Sequence, residues 1–281
     1  MTEDQKSAII ISASSDIGIA MCQRWLDAGW RVHGTYRTES AGTKDLAARG
    51  MHLVSCDLSD LTSIRAACDD LSAACSSWDV LILCPGTQIP VGEFLACDVD
   101  EWEESVGVNF ARQLRIIHAL LPFRNRHSHQ GPCVLTFAGG GTNNATVRYS
   151  AYTISKIALI KMTELLDAEI PDTRFATVGP GWVKTKIHDA TLEAGTSAGD
   201  NYEKTRTKLA SDELTPMEDV LDCCDWIIRA PRDVVSGRNF SVVFDQWGTE
   251  SLSAALKNDP DIYKLRRCGN DILMKGQGES S

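Results

Sequence analysis

Residues 8–29 read AIIISASSDIGIAMCQRWLDAG. Four apolar residues, three of them β-branched, lead into a turn of small hydroxyl residues. Apolar positions then recur three and four apart. The order is a buried strand, a tight turn and an amphipathic helix. A strand followed at once by such a helix returns to pair in parallel with the next strand. The unit repeats outward. RVHGTY (31–36), MHLVS (51–55), DVLILC (79–84), CVLTFA (133–138) and RFATVGP (174–180) are strand-like. TKDLAARG (43–50), LTSIRAACDDLSAAC (61–75), WEESVGVNFARQLRIIHALL (102–121) and the stretch 149–170 are helical. TPMEDVLDCCDWIIRAP (215–231) reads as a helix with a threonine cap and a proline at its first position, and GRNFSVVFD (237–245) as the last strand. The alternation predicts an α/β fold: a Rossmann-like, doubly wound parallel sheet of about seven strands with helices on both faces, in a single domain.

The opening turn is where such a fold would bind a dinucleotide, with backbone N–H groups and a helix N-terminus facing the diphosphate. Gly18 stands at the last position of a three-glycine fingerprint, and Ser12 and Asp16 take the two earlier ones. Ser12, Ala13, Ser14 and Ser15 still let a phosphate approach the backbone, and the hydroxyls can donate to it. Asp16 would repel a diphosphate unless it turns away and caps the helix, expected to start at Ile17. The second strand ends in Tyr36 and Arg37, where an acid would bind the 2′-hydroxyl of NAD. An arginine there can hold the 2′-phosphate of NADP, so NADP(H) is expected over NAD(H), an exposed surface arginine being the alternative.

Further along, YSAYTISK puts Tyr152 and Lys156 four residues apart, on one helix face. A free phenol has a pKa of about 10, and a nearby ammonium lowers it. Tyr152 would then exchange a proton with an alcohol or carbonyl, with Lys156 supporting it and holding the cofactor's ribose. Alone, such a pair is common on solvated helix faces, so its meaning depends on the rest of the chain.

The motifs SASSDIG, CDLSD, CPG, VNF, AYTISK and GPGWVKT occur in the order and spacing of the short-chain dehydrogenase/reductase family. The chain resembles the single-domain branch of that family from about residue 8 to residue 244. The resemblance implies that the turn through Ile17 and Gly18 holds the diphosphate and that Asp57 and Leu58 contact the adenine. It also implies that Gly86 lies beside the adenosine ribose. Pro180, Gly181, Val183 and Thr185 would contact the nicotinamide, and Trp182 would either wall the pocket or pack in the core. Asn109 would help hold, through its backbone, a water linking the lysine to solvent. Family members usually pair through the helices that here contain Asn109 and Tyr152, which implies a homodimer or homotetramer.

Two departures stand out. Leu83, Cys84 and Pro85 replace the first three residues of the usual Asn-Asn-Ala-Gly. Gly139 stands thirteen residues before the tyrosine, where the family places a catalytic serine. Losing such a donor costs about 10²–10³ in rate elsewhere. Thr142, in FAGGGTNN, is the first candidate to supply the hydroxyl, ahead of a glycine N–H or a donor on the substrate. The glycines themselves are expected to leave open space.

Composition narrows the remaining classes. A formal charge of −10 argues against a surface that tracks nucleic-acid phosphates, and no stretch is apolar enough for a leader or a membrane span. The ten cysteines are scattered, with Cys22, Cys56, Cys84 and Cys133 in apolar runs expected in the core. They read as reduced thiols of a cytoplasmic protein; only His127 and His129, in a loop, have a ligand-like spacing, and no metal site is expected. The polar stretch 184–214 is expected to be a substrate lid, within a catalytic domain of residues 1–245 followed by a C-terminal extension, 246–281. The expected activity is an NADP(H)-dependent interconversion of hydroxyl and carbonyl on a small polar, sugar-like or natural-product substrate. A non-redox dehydratase or epimerase, or a catalytically silent NADP-binding regulator, are the alternatives.

Overall fold

The computed structural model describes residues 5–268, so residues 1–4 of the expected catalytic domain and 269–281 of the expected extension lie outside the described residues. The strands are β1 (Ser7–Ile11), β2 (Arg31–Tyr36), β3 (His52–Ser55), β4 (Val80–Leu83), β5 (Cys133–Phe137), β6 (Arg174–Gly179) and β7 (Arg238–Ser241). All pair in parallel, in the order β3-β2-β1-β4-β5-β6-β7. The order reverses between β1 and β4, which makes the sheet doubly wound and opens a crevice at the carboxyl ends of those two strands.

Helices α1 (Asp16–Asp27), α2 (Ala41–Ala48), α3 (Leu61–Ala74), α4 (Val99–Val106), α5 (Arg112–Leu120) and α6 (Ser150–Glu169) are the crossovers. Side chains of β1 alternate between two cores. Ala8 and Ile10 pack with Met21, Cys22 and Trp25 of α1 on one face, and Ile9 and Ile11 with α3 and α5 on the other. Each fully buried isoleucine contributes about 1.5–3 kcal/mol, which is why this strand reads as unbroken apolar sequence.

Three local expectations are corrected. Residues 102–121 are not one regular helix, because a π-helical segment, Gly107–Ala111, separates α4 from α5. The helix α9 (Met217–Arg229) has Pro216 as its N-cap, while Thr215 is drawn one residue away, its N–H donating to Trp182 O at 2.8 Å. Cys84 packs against the core but is only half-buried, its other side lining the crevice.

The stretch 184–214 folds into a 3-10 turn at Lys186–His188, then α7 (Asp189–Ala194) and α8 (Asp200–Leu209). After α10 (Arg232–Val235) and β7, α11 (Glu250–Asn258) puts Leu256 into the core. The guanidinium of Arg238, buried in β7, donates to the carbonyls of Asp233, Val234, Leu256, Asp259 and Ile262, tying the tail to the last strand. Among the described residues no helix is long and apolar enough to cross a membrane.

Candidate active site

A cavity of about 1480 Å³ occupies the crevice. At its base Ser12 has φ 59°, the left-handed region glycine usually fills, and its N–H donates to Thr35 Oγ1 at 2.9 Å. Gly18 is required: a Cβ there would stand 2.5 Å from Ser12 O and 2.8 Å from Ser15 Oγ. The helix cap is Ser15, whose extended backbone lets its hydroxyl accept from Gly18 N at 3.1 Å. Helix α1 therefore starts at Asp16, and the expected cap by Asp16 is corrected. Its carboxylate turns across to the stretch 184–214 and accepts from Lys186 N at 2.8 Å.

Ser12, Ser14, Ser15, Asp16 and Ile17 line one wall of the cavity, with Arg37 exposed at the end of β2. Asp57, Leu58 and Gly86 border the same space. The Asp57 carboxyl lies below its ordinary range, chiefly through hydrogen bonds from Ser59, whose N–H donates at 2.9 Å. A hydroxyl-lined helix N-terminus with a cation beyond it suits an extended dinucleotide, diphosphate at the turn and adenosine toward Arg37.

Tyr152 and Lys156 both lie buried on the sheet-facing side of α6. Lys156 Nζ is 5.6 Å from the centre of the Tyr152 ring and donates to Pro85 O at 3.3 Å. Burial pulls the Lys156 ammonium down to about 8 and pushes the Tyr152 phenol up to about 12. The expected lowering of the phenol is thus corrected, because burial disfavours its charged form.

Gly139 does not leave open space. A Cβ there would be 2.6 Å from Tyr152 Cε1, 2.8 Å from its hydroxyl and 2.9 Å from Cζ, so the ring itself fills the place of the absent side chain. Thr142 lines the cavity on the same loop.

Asn109 sits in the π-helical segment, fully buried, its side chain clamping Thr87: Thr87 N donates to Oδ1 at 2.9 Å and Nδ2 donates to Thr87 O at 2.8 Å. Its backbone carbonyl accepts from Gln113 Nε2 at 2.9 Å, which leaves a second lone pair for another donor. Sequence reasoning missed Gln113, although a glutamine one turn beyond Asn109 in an apolar helix was a readable signal.

On the opposite wall, Pro180, Gly181, Val183 and Thr185 follow β6 into the cavity. Gly181 has φ 75°, and a Cβ there would meet Thr215 and Val243 at 2.5 Å. Trp182 stacks on His188, ring centres 5.0 Å apart, and walls the cavity. Three further residues went unread: Tyr149 donates to Thr191 Oγ1 at 2.8 Å, and Thr191 donates to Gln88 Oε1 at 2.9 Å. This chain, with Arg148 donating to Ser197 O and Asn201 to Val147 O, ties α7 and α8 down over the crevice.

Residues 6–195 match the family model for short chain dehydrogenases. Over 239 residues the chain is 28% identical to an uncharacterised oxidoreductase of Mycobacterium tuberculosis, covering 81% of this chain and 65% of that protein's length. It is 25% identical over 193 residues to the D-threitol dehydrogenase of Mycolicibacterium smegmatis, covering 66% of this chain and 72% of that one. A short chain dehydrogenase/reductase of Saccharomyces cerevisiae superposes with a TM-score of 0.74 at 19% identity, over 89% of this chain and 98% of the yeast one. At that identity the likeness speaks to the fold.

Proposed function

We propose, for a chain that belongs to the short chain dehydrogenase family, an NADP(H)-dependent oxidoreductase that interconverts a hydroxyl and a carbonyl on a small polar substrate. The observation that carries this reading is the burial of Tyr152 and Lys156 in the cavity that also contains the serine-lined turn and Arg37. The nicotinamide, when bound, exchanges a hydride with the substrate carbon. Tyr152 gives its phenolic proton to the substrate oxygen in reduction and takes it back in oxidation. Lys156, charged below about pH 8, favours the phenolate that this leaves and holds the ribose hydroxyls. Thr142 supplies the donor that Gly139 lacks, and Asn109 fixes the loop through Thr87.

A wall of amides and hydroxyls, including Gln88, Asn143, Asn144, Thr146, Asn201 and Thr205, supports a polyhydroxylated, sugar-like or natural-product substrate. The D-threitol dehydrogenase among the relatives is in keeping with it. In this reading residues 1–245 form the catalytic domain with 184–214 as lid, 246–281 are an extension, and the protein is a cytoplasmic homodimer or homotetramer.

Titration with NADPH and NADH in parallel, by nicotinamide fluorescence, tests the cofactor. NADPH is expected to bind at least tenfold tighter, and Arg37→Ala to remove the difference. Equal binding by the wild type would overturn the preference. One observation favours a second reading, a catalytically silent NADP-binding protein: Gly139 stands where the family places its serine, and the Tyr152 ring fills that space. NADPH binding with no turnover on any carbonyl or polyol would favour it.

A further inference from the structure

The loop that leaves β4 carries a carboxamide to the cavity wall. Gln88 is half-buried there, two residues beyond Gly86. A Cβ on Gly86 would stand 3.8 Å from Lys156 Nζ, so the loop runs beside the lysine. Gln88 is held from two sides. Its backbone follows Thr87, which the Asn109 side chain clamps at both N–H and carbonyl, at 2.9 and 2.8 Å. Its Oε1 accepts from Thr191 Oγ1 at 2.9 Å, and Thr191 is fully buried on α7. Thr191 in turn meets the hydroxyl of Tyr149, which stands three residues before Tyr152.

The direction of this chain follows from counting protons. An amide oxygen only accepts, and a hydroxyl has a single proton to give. Thr191 gives its proton to Gln88 Oε1, so the 2.8 Å bond between Tyr149 Oη and Thr191 Oγ1 is donated by the phenol. In the opposite order the amide NH₂ would donate to Thr191, Thr191 to Tyr149, and the buried phenolic proton would turn away from the oxygen it meets. A buried donor is costly to leave unpaired, so the first order holds. With Oε1 engaged, the end of Gln88 left for the cavity is its NH₂, which donates and cannot accept.

We propose that Gln88 is a specificity-determining residue whose NH₂ donates to a second oxygen of the substrate, close to the reacting carbonyl, and that Thr191 and Tyr149 are positioning residues that fix which end of the amide faces the substrate. This rests on the reading of the protein as a hydroxyl–carbonyl oxidoreductase and narrows its substrate. The class is an oxygenated ketone and its alcohol, with an acceptor oxygen beside the reacting carbon, rather than a plain alkyl ketone. Because Thr191 belongs to the stretch 184–214, the donor is aimed while α7 lies over the crevice.

The test uses two ketones of one shape. Methoxyacetone has an ether oxygen, an acceptor that cannot donate, where 2-pentanone has a methylene. The ratio of their kcat/KM values is followed across variants with NADPH saturating, which cancels their difference in intrinsic reactivity. From wild type to Gln88→Leu the ratio is expected to fall about fivefold or more, the effect of one net hydrogen bond. Gln88→Glu, which keeps the shape and puts acceptors in place of the donor, is expected to lower it at least as far. Thr191→Val is expected to lose the preference and Thr191→Ser, which keeps the hydroxyl, to retain it. A ratio unchanged or raised in Gln88→Leu would overturn the proposal, and a preference kept in Thr191→Val would overturn the positioning role. Binding is read apart from turnover, by the NMR shift of the Gln88 side-chain NH₂ in ¹⁵N-labelled protein loaded with NADP⁺, the pair being assigned by its absence from Gln88→Glu. Methoxyacetone is expected to move the pair and 2-pentanone to leave it in place. An unmoved pair would overturn the assignment of Gln88, whereas a moved pair without turnover of either ketone would uphold it and count against the oxidoreductase reading.

Discussion

Gly139→Ser sets the family pattern and the geometry of this chain against each other. By the pattern, a serine restores a donor to the reacting oxygen, worth about 10²–10³ in rate. By the geometry, the new Cβ would stand 2.6 Å from Tyr152 Cε1. Carbon atoms in contact need about 3.5 Å, so the ring must retreat by about 0.9 Å, the difference of the two. A misplacement of about 1 Å in a catalytic group costs about 10²-fold, and overpacking a filled interior costs about 1–3 kcal/mol. For a chain of this size that lowers Tm by roughly 2–5 °C. Gly139→Ala carries the same Cβ without the hydroxyl and isolates the steric part. Both variants are expected to lose about 10- to 100-fold in kcat and several degrees in Tm, as read by NADPH consumption over a carbonyl panel and by thermal melting. A Gly139→Ser protein at least tenfold faster than wild type, with Gly139→Ala unchanged, would refute the reasoning.

Two further outcomes follow from buried titratable groups. Lys156 falls to about 8 on folding, which costs about 3 kcal/mol below pH 8, a cost that fades as pH rises from 8 toward the unfolded lysine value. Lys156→Met is therefore expected to abolish turnover while raising Tm by several degrees at pH 7, with the gain shrinking above pH 8. His33 is buried with neither ring nitrogen bonded, and burial, with His52 and Arg31 nearby, lowers it to about 4. The unfolded chain then binds the extra proton first, so stability falls by up to about 3 kcal/mol as pH drops from 6.5 to 4. His33→Phe is expected to flatten that limb of the urea midpoint against pH.

The sheet was legible because its central strands β1, β4 and β5 are buried along their whole length and are largely apolar. RVHGTY coincides with β2 residue for residue. The cradle was legible in outline for a similar reason: a strand, a small-residue turn and a helix have one way to meet a diphosphate. What could not be read depends on a shift of one hydrogen bond or on residues far apart. The π-helical segment leaves the apolar spacing of 102–121 nearly unchanged. The helices of 184–214 have too few apolar positions to announce themselves and are held by contacts such as Thr191 with Tyr149. The Asp16 contact joins residues 170 positions apart, which no local pattern records.

The departures from the family pattern come with partners. Asp16 replaces a glycine of the turn, and its carboxylate is taken up by Lys186 N at the start of the stretch 184–214. Pro85 lies in the altered Leu-Cys-Pro-Gly loop, and its carbonyl is held by Gln113. Gly139 replaces the serine, and the Tyr152 ring occupies the space a side chain there would need. Reverting one member of such a pair disturbs the other: without the Asp16 carboxylate Lys186 N loses its acceptor, and a side chain at 139 displaces the Tyr152 ring. The effects of each pair are therefore non-additive, as expected of residues in direct contact. The family residue, restored alone, does not restore the family site.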